Sequence, residues 1–398
     1  MEYLKKTFRW FGPSFGVALD EIKQIGASGI VTACQEIPIG EVWPIATIAS
    51  LKAEIESQGL EWSVVESLNI HTAIKYGLPE RDGYIENYIQ TLKNLSDNGM
   101  YTVCYNFMQL IDWIRTDLDY SLPSGASALC YSPLAAAAYD LFIVKRADGK
   151  ASYSEESYQE AKYFFNNLTD SDKKKLESSI LAGMPGSREL IALEEFKENH
   201  ARVLEISKTQ LQENLAYFLK AIIPEAEKIG VRMAIHPDDP PFSVFGVPRI
   251  VSNYEELEFL LECYPSPSNG LTFCSGSLGA SPDNDLVKII EDFGDKIHFI
   301  HLRNVARTHD GSFYEADHLN GSIPMDKVMK ALVHEQIKRQ QNNSGVVSIP
   351  LRPDHGHVLL DDKKRQKDFY SGYSLIGRAF GLAQLTGLEM GIRESMDL

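Results

Sequence analysis

Short apolar runs of the β type recur along the chain, and amphipathic segments separate most of them. We predict a strand over each of eight runs: 8–11, 29–34, 61–67, 102–107, 231–237, 270–276, 297–304 and 347–356. Many of the intervening segments have helical spacing of apolar residues, and Gly59, Gly99 and Gly230 lie where helices commonly end. Strands that alternate with helices form parallel sheets. Eight such units predict an α/β fold, a (β/α)8 barrel.

The stretch 108–228 interrupts this alternation between the fourth and fifth strands. It is rich in Lys, Glu and Ser, and its apolar residues follow a helical pattern. We therefore expect a helical insertion over 108–200, within a single barrel domain that spans 1–398. The mixed aromatic and charged residues of 107–120 are typical of a lid over a polar ligand. An oligomer contact is the alternative interpretation of the insertion.

Composition and charge exclude several classes of protein. The 398 residues carry a formal net charge of −16, so we expect no nucleic-acid partner, because a phosphate backbone requires a basic face. No apolar run approaches the roughly 18 residues of a membrane span, and no signal peptide is recognisable. The five cysteines are scattered and form no CxxC pair, which favours free thiols in a reducing cytoplasm.

Four of the predicted strands carry a side chain able to bind a metal at or near their carboxyl ends. These are His236, Cys274, His301 and Asp354, one from each of the last four strands. Taken singly, each has a structural interpretation, such as a satisfied histidine or a small core cysteine. Barrels bring these strand ends to one face, where their active sites lie. Two imidazoles, a thiolate and a carboxylate together predict a site for Mn, Fe, Co or Zn.

Longer stretches carry a resemblance to a known family. Over essentially its whole length the chain resembles the mannonate dehydratases of the bacterial hexuronate pathway, through "FRWFGP", "EIPIGEVWP", "WSVVES", "RDGYIENYIQTLKNL", "VCYNFM", "DWIRTDL", "MAIHPDDPP", "LTFCSGSLG", "HFIHLRN", "RPDHGH" and "GYSLIGRAFGL". The resemblance implies a barrel of the xylose isomerase type. It also implies Mn²⁺ or Fe²⁺ as cofactor, on the same four ligands.

The activity that the resemblance implies is the conversion of D-mannonate to 2-dehydro-3-deoxy-D-gluconate and water. The family's further active-site residues fall on His355 and Tyr373 of this sequence. We assign His355 as the base at C2, because histidine is the better base near neutral pH, and Tyr373 as the acid for the leaving 3-hydroxyl. The reverse assignment is chemically possible and stays open.

Three polar residues beside these ligands are predicted to bind substrate: Arg303, Asn304 and Arg352. The two arginines could hold a carboxylate through paired hydrogen bonds. Their alternative role is ion pairing with acidic residues of the rim such as Asp238. We further expect a homo-oligomer, a dimer. The competing functions are a sugar isomerase of the same barrel type and a carbohydrate-binding barrel without activity.

Overall fold

The computed structural model describes residues 3–182, 193–342, 348–365 and 369–396. Within these ranges the strands are β1 (Lys5–Arg9), β2 (Gly29–Thr32), β3 (Glu61–Glu66), β4 (Thr102–Tyr105), β5 (Asp117–Ser121), β6 (Ser127–Tyr131), β7 (Arg232–Ile235), β8 (Asn269–Cys274), β9 (Ile297–Leu302), β10 (Asn304–Arg307), β11 (Phe313–Ala316) and β12 (Pro350–Pro353).

The α-helices of the same ranges are α1 (Leu19–Gln24), α2 (Ile45–Ser57), α3 (Thr72–Tyr76), α4 (Arg81–Asp97), α5 (Pro133–Ala138), α6 (Glu155–Asn167), α7 (Asp170–Ile180), α8 (Leu193–Val203), α9 (Lys208–Lys228), α10 (Tyr254–Cys263), α11 (Ser275–Leu278), α12 (Leu286–Phe293), α13 (Met325–Gln341) and α14 (Leu375–Ser395). A π-helical turn covers Tyr139–Val144. Short 3₁₀ turns cover Gly149–Ser152, Gly294–Lys296 and Leu360–Lys364.

Eight parallel strands close a barrel in the order β1–β12–β9–β8–β7–β4–β3–β2. Each of the eight predicted runs overlaps one of these strands, which confirms the (β/α)8 prediction. The first strand begins three residues before the predicted run, at Lys5. Lys5 and Lys6 are polar, but they pair with Pro350 and Leu351 and so close the barrel. Their ammonium groups form ion pairs with Glu61 and Glu389, which explains how two lysines are tolerated there.

The interior of the barrel is packed rather than open. A separate cluster of small and large apolar side chains, one from each of five strands, forms a layer there: Val31, Val64, Cys104, Ala234 and Phe299. The ring of Phe299 meets that of His301 edge-on, with centroids 4.5 Å apart. His301 is therefore the next inward-facing residue of β9 toward the carboxyl end, where the strands deliver their polar side chains.

A second, antiparallel sheet of order β10–β11–β6–β5 was not predicted. Its strands β5 and β6 open the insertion after β4, so the helical prediction is corrected at 117–131, which forms a hairpin. The predicted run 297–304 divides at Arg303 into β9 and β10. Helices α5 to α8 follow the hairpin, α9 packs against α4 and α10, and residues 183–192 of the predicted insertion lie outside the described ranges.

Candidate metal centre and active site

Three of the four predicted metal ligands come together at the carboxyl end of the barrel. His236 follows β7, Cys274 ends β8, and His301 is the second-last residue of β9. Their candidate donor atoms all lie within 4.8 Å of one another. Parallel strands that are neighbours in the barrel bring these positions together although they are far apart in sequence, as the strand-end pattern predicted.

The hydrogen bonds of the two histidines leave nitrogen atoms free for a metal. Nδ1 of His236 lies 2.7 Å from the carbonyl oxygen of Pro237, which leaves Nε2 with its lone pair. Nε2 of His301 is buried and has no hydrogen-bond partner in the described part of the chain. A buried polar atom without a partner is costly unless a ligand satisfies it. The nitrogen and sulfur donors therefore fit a divalent transition metal.

Asp354, the fourth predicted ligand, adjoins this group. The Cys274 thiol donates to its Oδ2 at 3.4 Å, and its Oδ1 lies 3.7 Å from Nδ1 of His301. Arg303 and Arg352 each place a guanidinium nitrogen 2.7 Å from this carboxylate. Burial alone would raise the pKa of Asp354, but the neighbouring cations, Arg352 foremost, hold it well below its usual value. The carboxylate is thus kept charged beside the three donors.

Arg303, a predicted substrate-binding residue, is fully engaged by internal carboxylates. Besides Asp354, it donates through Nη1 to Glu315 at 3.1 Å and through Nη2 to Asp239 at 2.6 Å. The alternative role of ion pairing is therefore seen, although not with Asp238. The carboxylate of Asp238 instead accepts the backbone N–H groups of the 250–251 segment.

Arg352 is engaged in the same way by Glu66, a residue that the sequence analysis did not single out. Its Nε and Nη2 hold the two carboxylate oxygens of Glu66 at 3.0 and 2.8 Å. Glu66 ends β3, and its Oε2 lies 3.5 Å from Nε2 of His301. Burial would raise the pKa of Glu66, but Arg352 and other nearby cations hold it well below its usual value. A second charged carboxylate thus lies beside the candidate metal ligands.

Asn304, the remaining predicted substrate-binding residue, turns its amide toward the backbone. Its Nδ2 donates to the carbonyl oxygens of His318 and Ile323, at 3.3 and 3.0 Å. Its Oδ1 accepts the N–H groups of Val305 and Ile323, both at 3.0 Å. These contacts hold the loop after β11 in place, and the binding of substrate by Asn304 stays a prediction.

His355 and Tyr373, the predicted acid–base residues, lie side by side. Their rings are 5.0 Å apart between centroids and nearly perpendicular. Nδ1 of His355 is 2.6 Å from Oε1 of Glu315, and neither Nε2 of His355 nor the hydroxyl of Tyr373 forms a hydrogen bond with described residues. Burial raises the pKa of Tyr373 well above its ordinary value. One residue thus offers a free nitrogen and the other a protonated phenol.

Glu315 is a further site residue that the sequence analysis missed. It lies on β11 of the second sheet and accepts hydrogen bonds from His355 and Arg303. Arg115, just before β5, adds a longer contact of 3.4 Å and also holds Asp239. No signal along the sequence could have identified Glu315, because its partners come from the barrel and from the insertion.

Fold and site together define a class: a (β/α)8 barrel with a candidate transition-metal centre and an adjacent histidine–tyrosine pair. The model of the D-mannonate dehydratase (UxuA) family matches residues 4–397, and the chain belongs to that family. A protein named mannonate dehydratase from Marinomonas sp. (strain MWYL1) is 48% identical over 394 residues, which cover 99% of this chain and 100% of that protein.

A solved structure agrees with this membership, and a second one shares the fold. The crystal structure of mannonate dehydratase from Streptococcus suis serotype 2 matches with a TM-score of 0.77 and 34% sequence identity, covering 100% of this chain and 95% of that chain. A fusion protein described as xylose isomerase-like TIM barrel/4-hydroxyphenylpyruvate dioxygenase matches at a TM-score of 0.50 and 11% identity, covering 100% of this chain and 44% of its own. That second likeness concerns the fold alone.

Proposed function

We propose that this protein removes water from D-mannonate to give 2-dehydro-3-deoxy-D-gluconate, as a metal-dependent hydro-lyase of hexuronate degradation. The observation that carries the proposal is the meeting of His236, Cys274 and His301 within 4.8 Å at the carboxyl end of the barrel. The chain belongs to the D-mannonate dehydratase family, matched over residues 4–397, and this membership supports dehydration of mannonate as the reaction at the centre. The two competing functions have no such support.

The proposed cofactor is Mn²⁺ or Fe²⁺, held by His236, Cys274 and His301 with Asp354 as fourth ligand. When bound, the ion supplies Lewis acidity, which stabilises the negative charge that develops beside the substrate carboxylate as C2 loses its proton. Arg303 and Arg352 keep Asp354 charged and fix its orientation through contacts of 2.7 Å. Such partners around a ligand orient it and tune its strength as a donor.

His355 acts as the base that takes the C2 proton on its Nε2. Glu315 accepts a hydrogen bond from Nδ1 at 2.6 Å, so the proton of the neutral ring resides on Nδ1 and the lone pair of Nε2 is free. Glu315 is held in turn by Arg303 at 3.1 Å. The base is thereby fixed in one orientation and one tautomer before substrate binds.

Tyr373 acts as the acid that protonates the departing 3-hydroxyl group. Its raised pKa keeps the phenol protonated at neutral pH, which supports the role of proton donor rather than base. The backbone segment that carries it is bound to that of His355, since the N–H of Gly356 donates to the carbonyl oxygen of Gly372 at 2.8 Å. Acid and base therefore keep a fixed separation.

The cellular setting inferred from the sequence is a cytoplasmic homodimer. All five cysteines are unpaired, which supports a reducing compartment. No described helix combines the length and low polarity needed to cross a bilayer. Light scattering coupled to gel filtration tests the dimer: a mass near twice the 44.6 kDa of one chain is expected.

The experiment that tests the function is incubation of purified, metal-loaded protein with D-mannonate, followed by a colour reaction specific for 2-keto acids. The expected result is release of keto acid, and none after treatment with a chelator. A sugar isomerase would leave mannonate unchanged and convert an aldose to a ketose. A carbohydrate-binding barrel would bind mannonate without consuming it, and either outcome would overturn the proposal.

A further inference from the structure

A cavity of about 740 Å³ lies at the carboxyl ends of β1 to β4. The loops that follow these four strands form its walls, whereas the candidate ligands come from the other half of the barrel rim. Ser67 lines the cavity directly after Glu66, whose carboxylate lies 3.5 Å from His301. The cavity and the candidate metal ligands thus lie at the same, carboxyl-end face of the barrel.

Arg9 lines this cavity and is a buried cation without an ion-pair partner. Arg9 is only 3% exposed, and its Nη1 donates hydrogen bonds to the carbonyl oxygens of Trp10 and Val31, at 2.8 and 3.2 Å. No carboxylate of the described residues lies within 4.0 Å of its guanidinium, and Nε and Nη2 form no hydrogen bonds with them. Burial lowers the pKa of Arg9 and outweighs the carboxylate of Glu66, which acts on Arg9 from a longer distance. A buried charge that no ion pair offsets is costly unless a ligand of opposite charge pairs with it.

The cavity also contains amide groups that lack partners. Both side-chain polar atoms of Gln35 and the Oδ1 atom of Asn69 are buried without hydrogen bonds in the described chain. Unsatisfied buried donors and acceptors are rare in folded proteins. An unpaired cation together with free amide donors and acceptors matches a ligand that has one carboxylate and several hydroxyl groups.

Arg9 is also placed close to the proposed acid. Its Cζ lies 4.2 Å from the centroid of the Phe11 ring, and that ring meets the ring of Tyr373 at 4.8 Å. Arg9 and Tyr373 therefore contact the same ring, which links an anion site at Arg9 to the proposed acid. Arg303 and Arg352 cannot compete for this anion without giving up their internal carboxylates.

We propose that Arg9 binds the carboxylate of the sugar acid, and that Gln35 and Asn69 receive its hydroxyl groups in the same cavity. The inference rests on the proposed function and deepens it, because it assigns the substrate-binding subsite. A guanidinium binds a carboxylate through paired hydrogen bonds, so lysine would replace Arg9 only in part. In this proposal Arg9, rather than Arg303 or Arg352, holds the substrate carboxylate. Those two arginines position acidic residues instead.

Binding measurements on Arg9→Gln test the carboxylate contact. Calorimetry compares D-mannonate with D-mannitol, which has the hydroxyl chain but no carboxylate. We expect the variant to bind mannonate about 10- to 100-fold more weakly, as for the loss of a charged hydrogen bond, while mannitol binding is unchanged. Arg9→Lys should fall between the two proteins. Metal content, measured by elemental analysis, should match that of the wild type.

Gln35→Met tests the hydroxyl side of the cavity with little risk to the fold, since the amide of Gln35 has no partner to lose. The expected result is an unchanged unfolding temperature and weaker binding of both mannonate and mannitol. Gln384→Met is the control, because this partly buried glutamine lies on α14 outside the cavity, where its amide donates to Asp317. That variant should bind both compounds as the wild type does.

The activity assay tests the proposed function, whereas the binding measurements test the role of Arg9, so a failure of either proposal can be recognised separately. If the wild type releases no keto acid from mannonate, the proposed function fails, and the binding comparison still decides the role of Arg9. If folded Arg9→Gln binds mannonate as tightly as the wild type, the inference is overturned. Should Arg9→Gln not fold, wild-type affinities in Arg9→Lys and Gln35→Met would overturn it equally.

Discussion

The two histidine ligands each keep one ring nitrogen without a hydrogen bond to described residues, and charged neighbours hold the carboxylate of Asp354. The carbonyl oxygen of Pro237 occupies one nitrogen of His236, and two arginines hold Asp354. Nε2 of His301 is buried and forms no hydrogen bond within the described chain, with Glu66 the nearest carboxylate at 3.5 Å. The centre is therefore organised before a metal binds, which lowers the cost of ordering its ligands.

Cys274→Ser should lose metal and activity together while the fold is kept. A metal requires the thiolate, and a serine hydroxyl is a far poorer ligand at neutral pH. The residue is fully buried, and the smaller oxygen fits its space. Elemental analysis and thermal unfolding of the metal-free proteins check this. A variant with full metal content and wild-type turnover would contradict the assignment.

The candidate ligands could be predicted from the sequence because each lies at or near the end of a recognisable apolar strand, and a barrel gathers strand ends. It did not locate Arg9, Glu66 and Glu315, because a charged residue at the end of a strand has the same pattern whether it faces solvent or a buried partner. The role of Glu66 can be recognised only in the folded barrel, where Arg352, from the other end of the chain, donates a hydrogen bond to it. Pairing at that sequence distance depends on the closure of the barrel.

At the scale of elements, the second sheet connects the insertion to the proposed catalytic residues. Strand β11 pairs with β6 of the insertion and carries Glu315, which contacts His355. The strand β5, with sequence DLDYS, is polar and largely exposed, so apolar alternation could not predict it. Pairing with β6 stabilises it instead. Because the sequence of β5 lacks apolar alternation, the insertion was expected to be entirely helical.

Gly276→Ala, in helix α11, should destabilise the protein and weaken metal binding. A Cβ atom there would lie 2.3 Å from Cγ and 2.6 Å from Nε of Arg303. Arg303 is held by three carboxylates and cannot move freely, so the cost should be of order 1–3 kcal/mol. Urea unfolding and metal titration measure the two effects.

Gly83→Ala is the matched control for that substitution. Gly83 lies in α4, and an added Cβ would meet no atom within 4 Å. Alanine should leave stability unchanged or raise it by roughly 0.4–1 kcal/mol, because it restricts the unfolded chain. Equal stability of the two alanine variants would show that Arg303 yields to the new methyl group, against the account.

At the scale of the whole molecule, removal of the metal should abolish turnover and lower stability. A ligand that binds only the folded state adds about 2.7 kcal/mol when its concentration is 100 times its Kd. Mn²⁺ or Fe²⁺ added to the chelated protein should restore both properties. Activity and unfolding temperature are followed in one titration. Full turnover by a metal-free sample would rule out the metal-dependent scheme.

The stability of the fold should fall below neutral pH. Burial lowers the pKa of His318 to about 4, whereas the unfolded residue titrates at about 6.5. The contribution of His318 is therefore complete above pH 6.5 and is lost as the pH falls toward 4, by about 1.4 kcal/mol per pH unit. Urea unfolding at several pH values should show a shallower slope in His318→Phe, and parallel slopes would contradict the assignment.

The most direct test of the proposed chemistry is the deuterium content at C2 of D-mannonate recovered from heavy water. His355→Asn should retain its metal, because Asp354 is the proposed ligand, and should neither turn over mannonate nor exchange its C2 hydrogen. Loss of a positioned acid or base costs about 10²–10⁴-fold in rate. Tyr373→Phe should lose turnover but still introduce deuterium at C2. Deuterium introduced by His355→Asn and not by Tyr373→Phe would contradict the account and reverse the two roles.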